Sequence, residues 1–179
     1  QLMEHCAKAG VIFFSTPFEE SAVDLLEDIG TNVYKIPSGE ITNLPFLTYV
    51  GRKRKPIILS TGMSALSEVE TAVRTIQAES DAGIILLHCV SNYPSAPSDS
   101  NLLAMSTMEA ALKLPVGYSD HTPGVEVSVA AVALGACVIE KHYTLDREMV
   151  GPDHRASLVP MELRNLVDSI RNVEQSLGD

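Results

Sequence analysis

Six short apolar runs recur along the chain, and each of them ends in polar residues. The runs are spaced by roughly 22 to 31 residues, and a stretch with helical character follows each one. They show no alternation of apolar and polar side chains, which is typical of parallel strands covered on both faces. The predicted strands are residues 11–14, 33–36, 56–59, 83–87, 114–116 and 138–143. This rhythm predicts a parallel α/β fold of about six strand–helix units.

The residues that follow the strands distinguish between two α/β architectures. A polar side chain lies at or just beyond the C-terminal end of every run: Thr16, Ser38, Ser60, Ser91, Ser119 and His142. Enzymes with a (β/α)8 barrel build their active sites from that end of all the strands. A doubly wound sheet uses only the strands near its switch point, and its glycine-rich nucleotide fingerprints do not occur in this sequence. The pattern favours a barrel.

The intervening segments predict helices, including one with a capping box at Ser67 and Glu70 and an amphipathic one over residues 160–177.

The composition indicates the class of protein, since 45% hydrophobic and 20% charged residues are typical of a soluble globular domain. A net charge of −10 without a basic stripe argues against nucleic acid. No run is long enough to span a membrane, and the cysteines suit reduced thiols, so we expect a cytoplasmic protein. The start at Gln1, inside a helix-like segment, suggests a piece of a longer chain.

Two histidines stand at equivalent places on successive strands. His121 and His142 end the last two predicted strands, and neighbouring parallel strands lie about 4.8 Å apart. Two such side chains can converge on one metal ion at about 2.1 Å each. By strand alternation Ser119 faces the same side as His121, and Glu140 faces the same side as His142. The pair indicates a metal or catalytic site, whereas a hydrogen-bonded structural histidine is the default interpretation elsewhere in the chain.

Lys35 lies inside its predicted strand, where a lysine is either an edge residue or the partner of a bound anion. Its apolar neighbours favour the anion, and the hydroxyls of Thr16, Ser38, Ser60 and Ser119 at the same strand ends suit a phosphorylated or carboxylated ligand. Each hydroxyl also has a simpler interpretation as a helix cap or loop residue. Glu40, in the loop after this strand, is either a solvated turn carboxylate or part of the site.

With these residues assembled, the sequence resembles the N-acetylneuraminate (sialic acid) synthase family. The similar segments run in the family's order over nearly the whole chain: residues 14–18, 35–43, 59–63, 87–94, 117–122, 139–144 and 151–154. The resemblance implies a TIM barrel that condenses phosphoenolpyruvate with an N-acetylated amino sugar such as N-acetylmannosamine. Phosphate is released and a nine-carbon keto acid is formed.

The resemblance also implies a role for individual residues. His121 and His142 would hold a divalent metal, typically Mn²⁺. Phosphoenolpyruvate would be bound by Thr16, Lys35, Ser38, Ser60 and Ser119. Tyr93 and Asp153 would contact the sugar, and Glu40 and Glu140 would transfer protons or orient water. The family often has Asn two residues before this Tyr, where this sequence has Ser91, and Asn92 is adjacent, so either residue is a candidate for the ligand contact.

Parts of the family's architecture are expected outside residues 1–179. The first two barrel strands would precede Gln1, and a C-terminal antifreeze-like domain would follow Asp179. We therefore expect an incomplete (β/α)8 barrel here and a homodimer in the whole protein. The alternatives are a legionaminate or pseudaminate synthase, a 3-deoxy-ulosonate-type synthase, and an inactive ligand-binding fragment.

Overall fold

The computed structural model describes residues 1–178 and contains a five-stranded sheet. The strands are β1 Tyr34–Ile36, β2 Ile57–Ser60, β3 Ile84–Cys89, β4 Val116–Asp120 and β5 Ile139–Lys141. They lie in the order β1-β2-β3-β4-β5, and β1–β2, β3–β4 and β4–β5 pair in parallel. The prediction of parallel strands joined by helices is confirmed. Five of the six predicted strands form, each within a few residues of its expected position.

The predicted first strand is wrong. Residues 11–14 are not a strand in the structure, and Val11 and Ile12 are 57% and 76% exposed. A strand is stabilised by backbone hydrogen bonds to a neighbour and by burial of its side chains. Neither is seen for this run in the described part of the chain, so its apolar sequence does not by itself produce a strand.

Two helices precede β1, and a helix follows each of the five strands, as the periodicity predicts. They are α1 Leu2–Ala9, α2 Glu20–Asp28, α3 Leu44–Gly51, α4 Leu66–Gln77, α5 Ala104–Leu112, α6 Glu126–Ala133 and α7 Pro160–Leu177. The expected capping box is wrong in detail, because α4 begins one residue before Ser67. The carboxylate of Glu68 accepts a hydrogen bond from the Ala65 amide, and Glu70 pairs with Arg74 on the helix surface. None of the helices within residues 1–178 has the length and apolar content needed to cross a bilayer.

The chain divides into two compact units. The first comprises Gln1–Ser60 and Ser64–Ile85, and the second comprises Thr61–Met63 and the chain from Leu86 onward. In the first unit, the core includes Ile36 of β1 and Leu59 of β2, both with no exposed surface, and the apolar faces of α3 and α4. In the second unit, Tyr118 of β4 and Leu166 of α7 are buried. Burial of these apolar side chains is the main favourable contribution to folding in each unit.

Candidate active site

Two histidines follow neighbouring strands of the second unit. His121 comes directly after β4 and His142 directly after β5. The two strands pair in register, with Ser119 opposite Glu140 and Asp120 opposite Lys141, so the histidines are the next residues along each strand. Their ring centroids are 5.4 Å apart. The structure thus brings together the two side chains that the sequence pairs.

The His121 ring is held in one orientation. Its Nδ1 lies 2.7 Å from the carbonyl oxygen of Val90, and because a carbonyl can only accept, Nδ1 carries the proton. The side chain is buried, with 5% of its surface exposed. Burial lowers the pKa of His121 in spite of the hydrogen bond to Val90. The ring is therefore neutral near pH 7 and has its lone pair on Nε2, which lies 3.4 Å from the Ser119 hydroxyl.

This arrangement fits a metal ligand. Metal-binding histidines typically donate their other N–H to a carbonyl or carboxylate, and His121 does so to Val90. The Nδ1 of His142 lies 3.9 Å from the Asp153 carboxylate. No set of three or more His, Cys, Asp or Glu side chains in residues 1–178 is placed to hold a metal on its own. The donor set fits an ion bound by two imidazoles whose other positions belong to water or substrate.

Three further predicted residues surround the histidines. The Ser119 hydroxyl donates a hydrogen bond of 2.7 Å to the Glu140 carboxylate, which is its partner across the strands. The Tyr93 ring centroid lies 4.1 Å from that of His121 and 5.7 Å from that of His142. Tyr93 is 48% exposed, and burial of the rest of the side chain raises the pKa of its phenol. These side chains and the two histidines form one polar cluster.

The segment after β3 carries the two alternative sugar contacts. Ser91 is half-buried and Asn92 is exposed in the bend that leads to Tyr93. Asp153 lies near His142, and half of its side-chain surface is exposed. The choice between Ser91 and Asn92 stays a prediction.

In the first unit, Lys35 is the middle residue of β1, and its buried side chain reaches Ser60 at the C-terminal end of β2. It is 6% exposed, and its ammonium donates to the Ser60 hydroxyl at 2.8 Å and to the Ile36 carbonyl at 3.4 Å. Ser60 is 4% exposed. A buried lysine beside a buried hydroxyl at strand ends provides donors suited to an anionic group.

The other predicted residues of this unit lie around the loops. Ser38 and Glu40 are half-buried in a 3-10 helix, Ser38–Glu40, that directly follows β1 and Pro37. The Glu40 carboxylate accepts a hydrogen bond of 2.7 Å from the side chain of Asn43, which caps α3. Thr16 is half-buried before α2. Glu40 therefore has a structural partner in addition to its predicted chemical role.

One pair of residues was not found from the sequence. Asp120 and Lys141 form a buried ion pair, with 2.8 Å between the Lys141 ammonium and the Asp120 carboxylate. The sequence does contain one indication of this ion pair, because residues of opposite charge immediately precede the two histidines on successive strands. Strand alternation places both of them on the face opposite to the histidines, so the pattern that pairs the histidines does not include them.

The chain matches the NeuB family over residues 1–179. It is 51% identical over 181 residues to an N,N'-diacetyllegionaminic acid synthase of Campylobacter jejuni, covering 100% of this chain and 54% of that protein. It is 37% identical over 179 residues to the human N-acetylneuraminate-9-phosphate synthase, covering 99% of this chain and 50% of that protein. The chain thus spans about half the length of these curated relatives.

A solved structure gives the same result. The crystal structure of an N-acetylneuraminic acid (sialic acid) synthetase from Leptospira borgpetersenii, in complex with citrate, superimposes with a TM-score of 0.96 at 40% identity. The match covers 99% of this chain and 62% of that one. The predicted fold class, an incomplete (β/α)8 barrel, is confirmed. The family match over the full sequence and this structural agreement together establish that the chain belongs to the NeuB family.

Proposed function

We propose that this chain carries the condensation chemistry of a nonulosonic acid synthase. Phosphoenolpyruvate and the aldehyde form of an N-acyl amino sugar, together with water, give a nonulosonic acid and inorganic phosphate. One new C–C bond forms between the methylene carbon of phosphoenolpyruvate and the aldehyde carbon. Water replaces the phosphate, whose bond to the enol is broken. The observation that carries this proposal is the in-register pair His121 and His142 in a chain that belongs to the NeuB family.

His121 and His142 are the proposed ligands of a divalent metal, with Mn²⁺ as the candidate. Two neutral imidazoles suit a borderline transition ion, and such an ion, when bound, polarises a carbonyl oxygen. The protein's own contribution is to keep the His121 ring neutral and correctly turned. Burial keeps the ring neutral. The Val90 carbonyl fixes the orientation of the ring by accepting a hydrogen bond of 2.7 Å from its Nδ1–H.

Lys35 and Ser60 are the proposed anion-binding residues of the first unit. A buried ammonium interacts more strongly with a phosphate or carboxylate than an exposed one, because less water screens the charges. The 2.8 Å hydrogen bond to Ser60 orients the ammonium at the strand ends. We assign phosphoenolpyruvate binding to this pair, with Thr16, Ser38 and Ser119 as further candidates.

Glu140 is the proposed proton-handling carboxylate of the second unit. It accepts a hydrogen bond from the Ser119 hydroxyl at 2.7 Å, and Ser119 also lies 3.4 Å from the Nε2 of His121. The aldehyde oxygen must gain a proton and the added water must lose one, so a carboxylate held in place is well suited to either transfer. Glu40 is the second candidate, and Tyr93 and Asp153 are assigned to the sugar.

A second candidate for the sugar is a precursor of diacetyllegionaminic acid, which carries two acetamido groups. It is favoured by the identity of 51% to the diacetyllegionaminic acid synthase, against 37% to the N-acetylneuraminate-9-phosphate synthase. Both candidates use the same condensation. They differ in the groups that the sugar pocket must accept.

The test measures phosphate release from phosphoenolpyruvate by the purified protein after chelation and return of Mn²⁺. N-acetylmannosamine and a diacetamido sugar are compared at equal concentration, and a sugar-free reaction is the control. We expect release that requires both the metal and a sugar, with the preferred sugar giving the higher kcat/KM. Release without a sugar, or with a 3-deoxy-ulosonate precursor alone, would contradict the proposal.

The cytoplasmic location and the homodimer stay predictions.

A further inference from the structure

A second in-register pair lies on β4 and β5, immediately before the histidines. Asp120 is opposite Lys141, and their side chains are 0% and 3% exposed. Side chains alternate between the faces of a strand, so this pair lies on the face opposite to that of Ser119 and Glu140. The histidines share the face of Ser119 and Glu140. The two strands thus carry a polar cluster on one face and a buried ion pair on the other.

The Asp120 carboxylate is fully engaged in hydrogen bonds. Its Oδ1 accepts from the backbone amide and the hydroxyl of Thr122 at 2.8 and 2.7 Å. Its Oδ2 accepts from the Ser128 hydroxyl at 2.5 Å and from Lys141 at 2.8 Å. Lys141 also donates to the Thr122 carbonyl at 2.5 Å. The two residues that flank His121, Asp120 and Thr122, are therefore both hydrogen-bonded to Lys141 of β5. Asp120 is also hydrogen-bonded to Ser128 of α6.

A buried ion pair of this kind is weak evidence for stability as such. Desolvation of the two charges offsets most of their attraction, and apolar replacements are often as stable. Its effect on register is different, because a slip of one residue would leave both charges without partners and turn each side chain to the other face. The same slip would separate His121 from His142.

We propose that Asp120 and Lys141 are positioning residues that hold β4 and β5 in the register which points His121 and His142 at one site. The inference rests on the proposed metal site for its chemical meaning. It predicts that the two residues act as a unit. It also predicts that replacing either one disturbs the histidines more than an equally destabilising substitution elsewhere in the chain does.

The experiment compares three variants with a matched control. Lys141→Met removes the ammonium and keeps most of the stem, Asp120→Asn is nearly isosteric, and the third variant combines both changes. Leu166→Ala is the control, because Leu166 is a buried residue of α7 and lies outside both strands. Each protein is assayed for Mn²⁺ affinity by electron paramagnetic resonance of the free ion, well below its melting temperature. The metal-free proteins are examined by NMR for the Nδ1–H signal of His121.

We expect each single change to weaken Mn²⁺ binding about 10- to 100-fold, as is usual for residues that orient metal ligands. The Nδ1–H signal of His121 should shift or disappear, and the double variant should lose no more than the worse single one. Leu166→Ala should keep both properties even where its melting temperature falls as far.

Unchanged affinity and an unchanged ring signal in the pair variants would overturn the inference, as would independent, additive losses in the double variant. If the wild-type protein binds no Mn²⁺, the proposed metal site is wrong. The ring signal of the metal-free variants then decides the positioning role by itself.

Discussion

Gly117 is the position at which β4 leaves no room for a side chain. A Cβ added there would lie 2.4 Å from the Val138 carbonyl oxygen, 2.8 Å from the Leu87 side chain and 3.0 Å from the Val138 Cβ. Favourable carbon contacts lie at about 3.5–4.0 Å, so the overlap is severe. The closest atom belongs to the backbone and cannot turn aside as a flexible side chain would.

The cost of Gly117→Ala follows from these contacts. Overpacking of a tight core typically costs about 1–3 kcal/mol. The same Val138 carbonyl accepts a hydrogen bond of 2.8 Å from the Tyr118 amide. Moving this carbonyl away weakens that bond between β4 and the residue before β5, which is worth about 1 kcal/mol. We therefore expect Gly117→Ala to lower the free energy of unfolding by about 2–4 kcal/mol.

Urea denaturation followed by circular dichroism measures this loss. The control is Gly83→Ala, because a Cβ at Gly83 meets no atom within 4 Å and its backbone is outside the left-handed region. That variant should be neutral or slightly stabilising, by up to about 1 kcal/mol. A Gly117→Ala protein within about 0.5 kcal/mol of wild type would refute the reasoning, since only that level of change is expected of a substitution without contacts.

Two further predictions concern the first unit. Lys35→Met should weaken phosphoenolpyruvate binding by roughly 10- to 150-fold, the equivalent of one charge-assisted hydrogen bond, and leave the affinity for the sugar nearly unchanged. Calorimetric titration with each ligand measures the two affinities, and the control is Lys53→Met, which removes a partly exposed ion pair with Asp24. Equal losses for both ligands would indicate a structural role for Lys35. Burial opposes ionisation of Glu27, but hydrogen bonds from Lys55 and Tyr34 outweigh it and lower the pKa of Glu27. Its contribution to stability is thus present above about pH 4.3 and lost as the pH falls further, so Glu27→Gln should flatten the acid side of the stability profile; an unchanged profile would contradict this.

The strand–helix order could be predicted because it depends on local patterns. Apolar runs of strand length and helical periodicity located β1 to β5 and the helices that follow them. The run at residues 11–14 has the same local pattern, but a strand also needs a paired neighbour, and a single sequence does not contain that information. Local pattern therefore overpredicted one strand.

The candidate site, like the fold, could be predicted from the sequence only in part. Strand-end position and alternation were sufficient to pair His121 with His142, because each histidine is the first residue after its strand, and β4 and β5 are in register. The partners that hold them were not predictable in this way. The Val90 carbonyl is a backbone group without a sequence signature, and the Asp120–Lys141 bond depends on which face of the strands is buried.

The proposed metal site is the central claim, and Mn²⁺ binding tests it most directly. Affinity is measured by electron paramagnetic resonance of the free ion for wild type, His121→Ala, His142→Ala and the control His5→Ala, which removes an exposed histidine of α1. Each of the first two changes removes one of two imidazole ligands, so we expect each to weaken binding at least about tenfold, or 1.4 kcal/mol. His5→Ala should bind as wild type does. Retention of wild-type affinity by either His121→Ala or His142→Ala would contradict the two-histidine site.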